Sequence, residues 1–127
     1  MSMNQDDVTK YKSLYLQTSW GYLNMLRKNI AFLLSGMQGQ SALEAAHLAA
    51  HSLKSQSILM GYTQIGEFSM RMEAIFKISK SKILVPNKEV LDIVLSGLNK
   101  VQTSLIQISE NGQEIDISEE IGKLSAL

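Results

Sequence analysis

The chain has 127 residues, enough for one domain whose core can bury roughly two-thirds of the surface an unfolded chain would expose. With 45% hydrophobic and 19% charged residues it is not a disordered sequence, and 12 basic against 12 acidic residues argue against a dedicated nucleic-acid or anionic-membrane binder. The absence of cysteine excludes disulfides, thiolate metal sites and thiol nucleophiles together.

No apolar run approaches the ~20 residues of a membrane span, and the N-terminus lacks the apolar stretch of a signal peptide. A cytoplasmic single domain over residues 1–127 is therefore expected. A lone proline, Pro86, and few β-branched alternations point to an all-α chain. Asp7 is the expected cap of a first helix reaching about Leu34, with Val8, Tyr11, Tyr15, Tyr22 and Met25 on its packing face. A second apolar stripe on that helix, Leu16, Trp20, Leu23 and Ile30, is open to two uses: cover by the tail, or contact with a partner. The break at 35–40 is rich in helix-ending residues, and Ser41-Ala42-Leu43-Glu44 then has the form of a capping box. It opens a second helix to about Met60, buried through Leu43, Ala46, Ala50, Leu53, Ser57 and Met60.

Gly61 punctuates, and a third helix follows to about Ile83 with Ile65, Phe68, Met72, Ile75 and Phe76 inward. Pro86 stops it and Asn87 caps the next. The fourth helix has the cleanest pattern: Leu91, Val94, Leu98, Val101, Leu105 and Ile108. Asn111-Gly112 ends it, leaving 111–127 as a tail or a short fifth helix capped by Ser118. Long amphipathic helices on short loops predict an antiparallel up-down-up-down four-helix bundle. Charge is uneven along it. From Val8 to Leu43 the charged residues are Lys10, Lys12, Arg27 and Lys28, whereas Glu110, Glu114, Asp116, Glu119 and Glu120 crowd the tail. An acidic tail packed near the basic first helix is one of two open placements.

Residues able to carry chemistry are few. There is no Walker A loop, HExxH, G-x-S-x-G or calcium loop. The two histidines, His47 and His51, stand at i and i+4 on the second helix. With Glu44 they could form a weak zinc site, but a further ligand is wanting, so no metal and no cofactor are expected. At ~100° per residue, His51 lies roughly 130° from the centre of the apolar face and His47 about 90°. His51 should therefore point outward and His47 sit at the boundary. The outward ridge through His51 also carries Leu48, Ser55 and Ile58, and two apolar residues flanking an exposed imidazole suggest a protein-docking surface. Lys54, one turn on, puts a cation beside the ring. Such a histidine suits carrying a charged group itself: its neutral nitrogen can attack a phosphoryl group, and the ammonium offsets the product's charge. Met60, Met70 and Met72 are read as core filler, not as a soft-metal site.

The run Ala50-His51, Lys54, Ser55, Ser57, Gly61 and Tyr62 resembles the histidine phosphotransfer (HPt) domain, most closely the form found at the N-terminus of chemotaxis histidine kinases. Ile65, Glu67, Met72 and Glu73 continue the resemblance on the next helix. It implies that His51 is the phosphoacceptor, that Lys54 contacts the phosphoryl group, and that the Glu73 carboxylate accepts from His51 Nδ1–H. It further implies that Gly61 permits a close turn or helix approach, with Ser57 as the small structural residue near the site. Three positions depart from the family. Ser55 replaces a glycine four residues after the histidine, His47 replaces a bulky apolar residue four before it, and Leu48 replaces a basic residue three before it. The implied partners are a histidine kinase catalytic domain, which supplies the phosphoryl group from ATP, and the aspartate of a response-regulator receiver domain. The chain would be no self-sufficient catalyst but a relay module, free-standing or part of a larger kinase. The rival reading is a helical adaptor that has lost the relay, for which His51, Lys54 and Glu73 would not be needed together.

Overall fold

Five helices account for nearly all of the residues that a computed structural model describes, 4–37 and 39–127; Gln38, inside the first predicted break, lies outside them. They are α1 (Gln5–Leu34), α2 (Gln40–Leu59), α3 (Thr63–Lys82), α4 (Lys88–Asn111) and α5 (Ser118–Ser125), with no strand among the described residues. The architecture is a helical bundle: α2 lies between α1 and α3, α4 closes against α1, and α5 fills the gap between α3 and α4.

The fourth helix forms as its sequence dictates. The Asn87 side chain accepts from Val90 N–H, Gly112 ends the helix at φ 81°, and all six residues of the expected row are buried. Where α4 meets α3, Gly97 leaves room for the Phe68 ring, which a Cβ there would overlap. A second close approach joins α2 to α3, where a Cβ on Gly66 would come within 2.7 Å of Ile58 Cγ1.

Three predicted starts are corrected. The first helix is capped by Asn4, not Asp7: Asp7 N–H donates to Asn4 Oδ1 at 2.8 Å, and Asp7 becomes an acid of the first turn, where the helix dipole favours it. The second starts at Gln40 after Gly39, which sits under the Leu33 side chain, so Ser41 and Glu44 fall too far into the helix to form a capping box. Ser118 is the first residue of α5 rather than its cap, and its amide donates to Asp116 Oδ1 at 2.9 Å.

The packing face of α1 also differs. Its buried row is Tyr15, Ser19, Leu23, Leu26, Ile30 and Leu33, whereas Val8, Tyr11 and Met25 are exposed. Leu23 and Ile30, read as a second stripe, belong to the core, with Leu16 and Trp20 packed at its edge. In α2 and α3, Met60 and Ile75 flank the core rather than enter it.

The fifth helix packs on α3 and α4 rather than on the basic first helix, which the tail meets only at its start, where Gly112 lies near Lys12. The first turn of α3 has no side-chain cap of its own, and the Glu114 carboxylate supplies one, accepting from Gln64 N–H at 3.0 Å and Ile65 N–H at 3.2 Å. Gln64 Oε1 in turn accepts from Ile117 N–H at 2.6 Å, and Ser104 Oγ from Ile115 N–H at 3.0 Å. These contacts fix the far end of the helix that carries Glu73.

Candidate functional site

The α2 helix ends in a turn that only glycine adopts without strain. Gly61 has φ 83°, its amide donates to Ile58 O, and Tyr62 N–H donates to Ser57 O at 2.8 Å. A Cβ on Gly61 would meet nothing within 4 Å, so this glycine serves the turn; the close helix approach belongs to Gly66. The chain reverses here and α3 returns along α2. Cross-pairs descend on α3 as they rise on α2: Glu44 and His47 meet Lys80, and His51 and Lys54 meet Glu73.

That register assembles the site. His51 stands at the edge of α2 with 54% of its side chain exposed, while Glu73, facing it from α3, retains 15%. His51 Nδ1 lies 2.8 Å from Glu73 Oε2, and Lys54 Nζ lies 3.1 Å from Glu73 Oε1. One carboxylate thus accepts from both neighbours. Burial pushes the Glu73 carboxyl up, but hydrogen bonds from Lys54 and His51 outweigh it and bring it below its ordinary value of 4.5. An ionised carboxylate at Nδ1 accepts a hydrogen bond there, which places the ring proton on Nδ1 and the lone pair on Nε2. Chemically, the arrangement offers an exposed nucleophilic nitrogen, a carboxylate that stabilises positive charge on the ring, and an ammonium next to both.

The ridge around the ring is as the helical wheel places it. Leu48 and Ile58 are 53% and 54% exposed, and Ser55 lies on the surface one turn after His51. Ile58 is not wholly free, because its Cγ1 packs over Gly66. Ser57 is buried behind the site, 2.8 Å from the Tyr15 hydroxyl, and ties α1 to α2. Burial pushes that phenol up to about 12, so it stays a neutral hydroxyl; the Tyr62 ring packs beside it at 5.0 Å. The groups weighed as zinc ligands have other partners: Glu44 pairs with Lys80 at 3.0 Å, His47 Nδ1 meets Lys80 Nζ at 3.3 Å, and His51 meets Glu73. The sequence reading missed Lys80. Its signal was there, seven residues after Glu73 and so on the same face of α3.

An exposed histidine held through Nδ1 by a carboxylate of the neighbouring helix thus stands on the flank of a helical bundle. The sequence model of the Hpt domain matches residues 10–111, and this chain belongs to that family. The chain is similar to Chemotaxis protein CheA of Listeria monocytogenes, 23% identical over 120 residues, covering 94% of this chain and 19% of the relative. To Chemotaxis protein CheA of Bacillus subtilis it is 24% identical over 119 residues, covering 93% of this chain and 18% of that protein. It therefore spans less than a fifth of the curated relatives it matches. The family and these relatives support a phosphotransfer-type role in two-component signalling.

Proposed function

We propose that this chain is a cytoplasmic phosphorelay module, an antiparallel up-down-up-down bundle in which His51 receives a phosphoryl group and passes it on. In the first step the Nε2 lone pair attacks the γ-phosphorus of ATP held by a separate kinase catalytic domain. The bond from that phosphorus to the bridging oxygen breaks, and ADP leaves with the electron pair. Nδ1–H stays bonded to Glu73, which offsets the positive charge gained by the ring. In the second step a carboxylate oxygen of a receiver-domain aspartate attacks the same phosphorus, the P–N bond breaks, and its electrons return to Nε2.

The observation that carries this reading is the pairing of His51 Nδ1 and Lys54 Nζ on the two oxygens of Glu73. Lys54 lies close enough to turn from the carboxylate toward a phosphoryl group on the ring. Leu48, Ser55 and Ile58 form the docking ridge for both partners, and Ser55 narrows the approach where the family has glycine. The test is transfer. The protein is labelled with ATP and a chemotaxis-type kinase catalytic domain, and loss of label to receiver domains is followed. Leu48→Ala should slow that loss while leaving the melting temperature nearly unchanged. A labelled protein that gives its phosphoryl group to no receiver domain of the source organism would defeat the relay reading.

A further inference from the structure

Two histidines one helical turn apart carry their protons on opposite nitrogens, because α3 offers them opposite partners. His51 Nδ1 faces a carboxylate. His47 Nδ1 faces the Lys80 ammonium at 3.3 Å, and an ammonium can only donate. His47 Nδ1 must therefore accept, which places its single proton on Nε2. Lys80 is held in this position by Glu44, whose Oε2 lies 3.0 Å from the same nitrogen. Burial, then the Lys80 charge, keep His47 below the ordinary histidine range, so the ring is neutral near pH 7. The charged and titratable groups around it are Lys80 and Glu73 from α3 and Glu44 and His51 from α2.

Both rings turn Nδ1 toward α3, so both Nε2 atoms point away from it, on the same side of α2. Residues at i and i+4 have Cβ atoms about 6 Å apart. A phosphoryl group on His51 Nε2 would stand on the same side of the helix as His47 Nε2–H, one turn away. The same tautomer that denies His47 a nucleophilic Nε2 makes it a donor there.

We propose that His47 is a phosphoryl-positioning residue: its Nε2–H, oriented by the Glu44–Lys80 pair, donates to an oxygen of the phosphoryl group carried by His51. This deepens the phosphotransfer reading and rests on it. The phosphoryl dianion also draws a second proton to His47, and by linkage a protonated His47 favours the phosphorylated state. Phosphorylation and the charge of His47 are then coupled within one helical turn.

The test needs no partner protein. Phosphoramidate serves as donor: His51 Nε2 attacks its phosphorus, the P–N bond breaks, and ammonia leaves with the electron pair. Protein labelled with 15N in histidine is followed by 15N and 31P magnetic resonance from pH 5 to 8. Before reaction, the His47 shifts should show Nε2 protonated and Nδ1 bare. After it, the His47 titration should move upward, and the 31P signal should follow that titration. His47→Leu should abolish this dependence and slow phosphorylation about three- to tenfold, as for one hydrogen bond to a charged group at a half-exposed site. His47→Gln, whose amide can donate but not titrate, should restore most of the rate and none of the pH dependence. A His47 proton on Nδ1, or a titration indifferent to phosphorylation together with wild-type speed in His47→Leu, would overturn the proposal alone. No phosphohistidine at His51 in the wild type would overturn the phosphotransfer reading and this one with it.

Discussion

Glu73 is where substitution separates the roles most cleanly, because one carboxylate serves two donors. Replaced by Gln, it keeps a single acceptor oxygen, and the amide nitrogen must face the other donor. Lys54 is the more easily released of the two, since its flexible chain can swing to water. Glu73→Gln should therefore keep the His51 contact and lose the Lys54 contact, whereas Glu73→Ala loses both. A hydrogen bond to a charged group contributes about 1.5–3 kcal/mol, and the 54% exposure of the His51 side chain reduces that to about 1–2 kcal/mol. At 1.36 kcal/mol per decade, Glu73→Ala should be phosphorylated roughly 5- to 30-fold more slowly than the wild type. Glu73→Gln should fall between them, since an amide does less than a carboxylate to stabilise positive charge on the ring. The assay is the initial rate of 31P-detected phosphorylation by phosphoramidate, so that partner docking does not enter. An Ala variant as fast as the wild type, or a Gln variant as slow as Ala, would refute the assignment of Glu73 as the group that orients and activates His51.

Stability gives three further tests. The lowered Glu73 carboxyl contributes stability that is fully present above its unfolded value of 4.5 and is lost as pH falls through its lower folded value. The difference in urea midpoint between the wild type and Glu73→Gln should thus shrink below about pH 4.5 and disappear at lower pH. Gly97→Ala would press a methyl group into the Phe68 ring and should cost about 2–3 kcal/mol by urea unfolding. Ile83 is a β-branched residue at φ 51°, 78% exposed, so Ile83→Gly should raise stability by about 1 kcal/mol, read as a higher urea midpoint.

How much of this was legible follows from where each signal resides. The fourth helix has one apolar row and a capping asparagine, so a local pattern suffices. The first helix has apolar residues on two faces, and the choice between them depends on which side α2 and α4 cover, which no local pattern states. The predicted caps failed for a related reason: Asn4 stands three residues before Asp7 and Gly39 two before Ser41, and Glu44 is drawn across to Lys80 rather than back to its own helix. The tail follows the uncapped end of α3, a need visible only once the helices are assembled. Within the site, the outward pose of His51 was readable from the helical wheel. Its pairing with Glu73, 22 residues away, was not, because cross-helix register depends on the Gly61 turn and the Gly66 approach; only the family resemblance brought those residues together. Lys80 shares a face of α3 with Glu73, which the sequence does state; that this face meets Glu44 and His47 again depends on the register.

On the relay reading, Nε2 of His51 is the atom that carries the phosphoryl group. Phosphorylating the wild type and His51→Gln with phosphoramidate, then identifying the product by 31P magnetic resonance and by 15N coupling to the histidine ring, decides it. The expected result is one phosphohistidine, bonded through Nε2 of His51 and absent from His51→Gln. Attachment at Nδ1, or equal labelling of the His51→Gln protein, would contradict the claim.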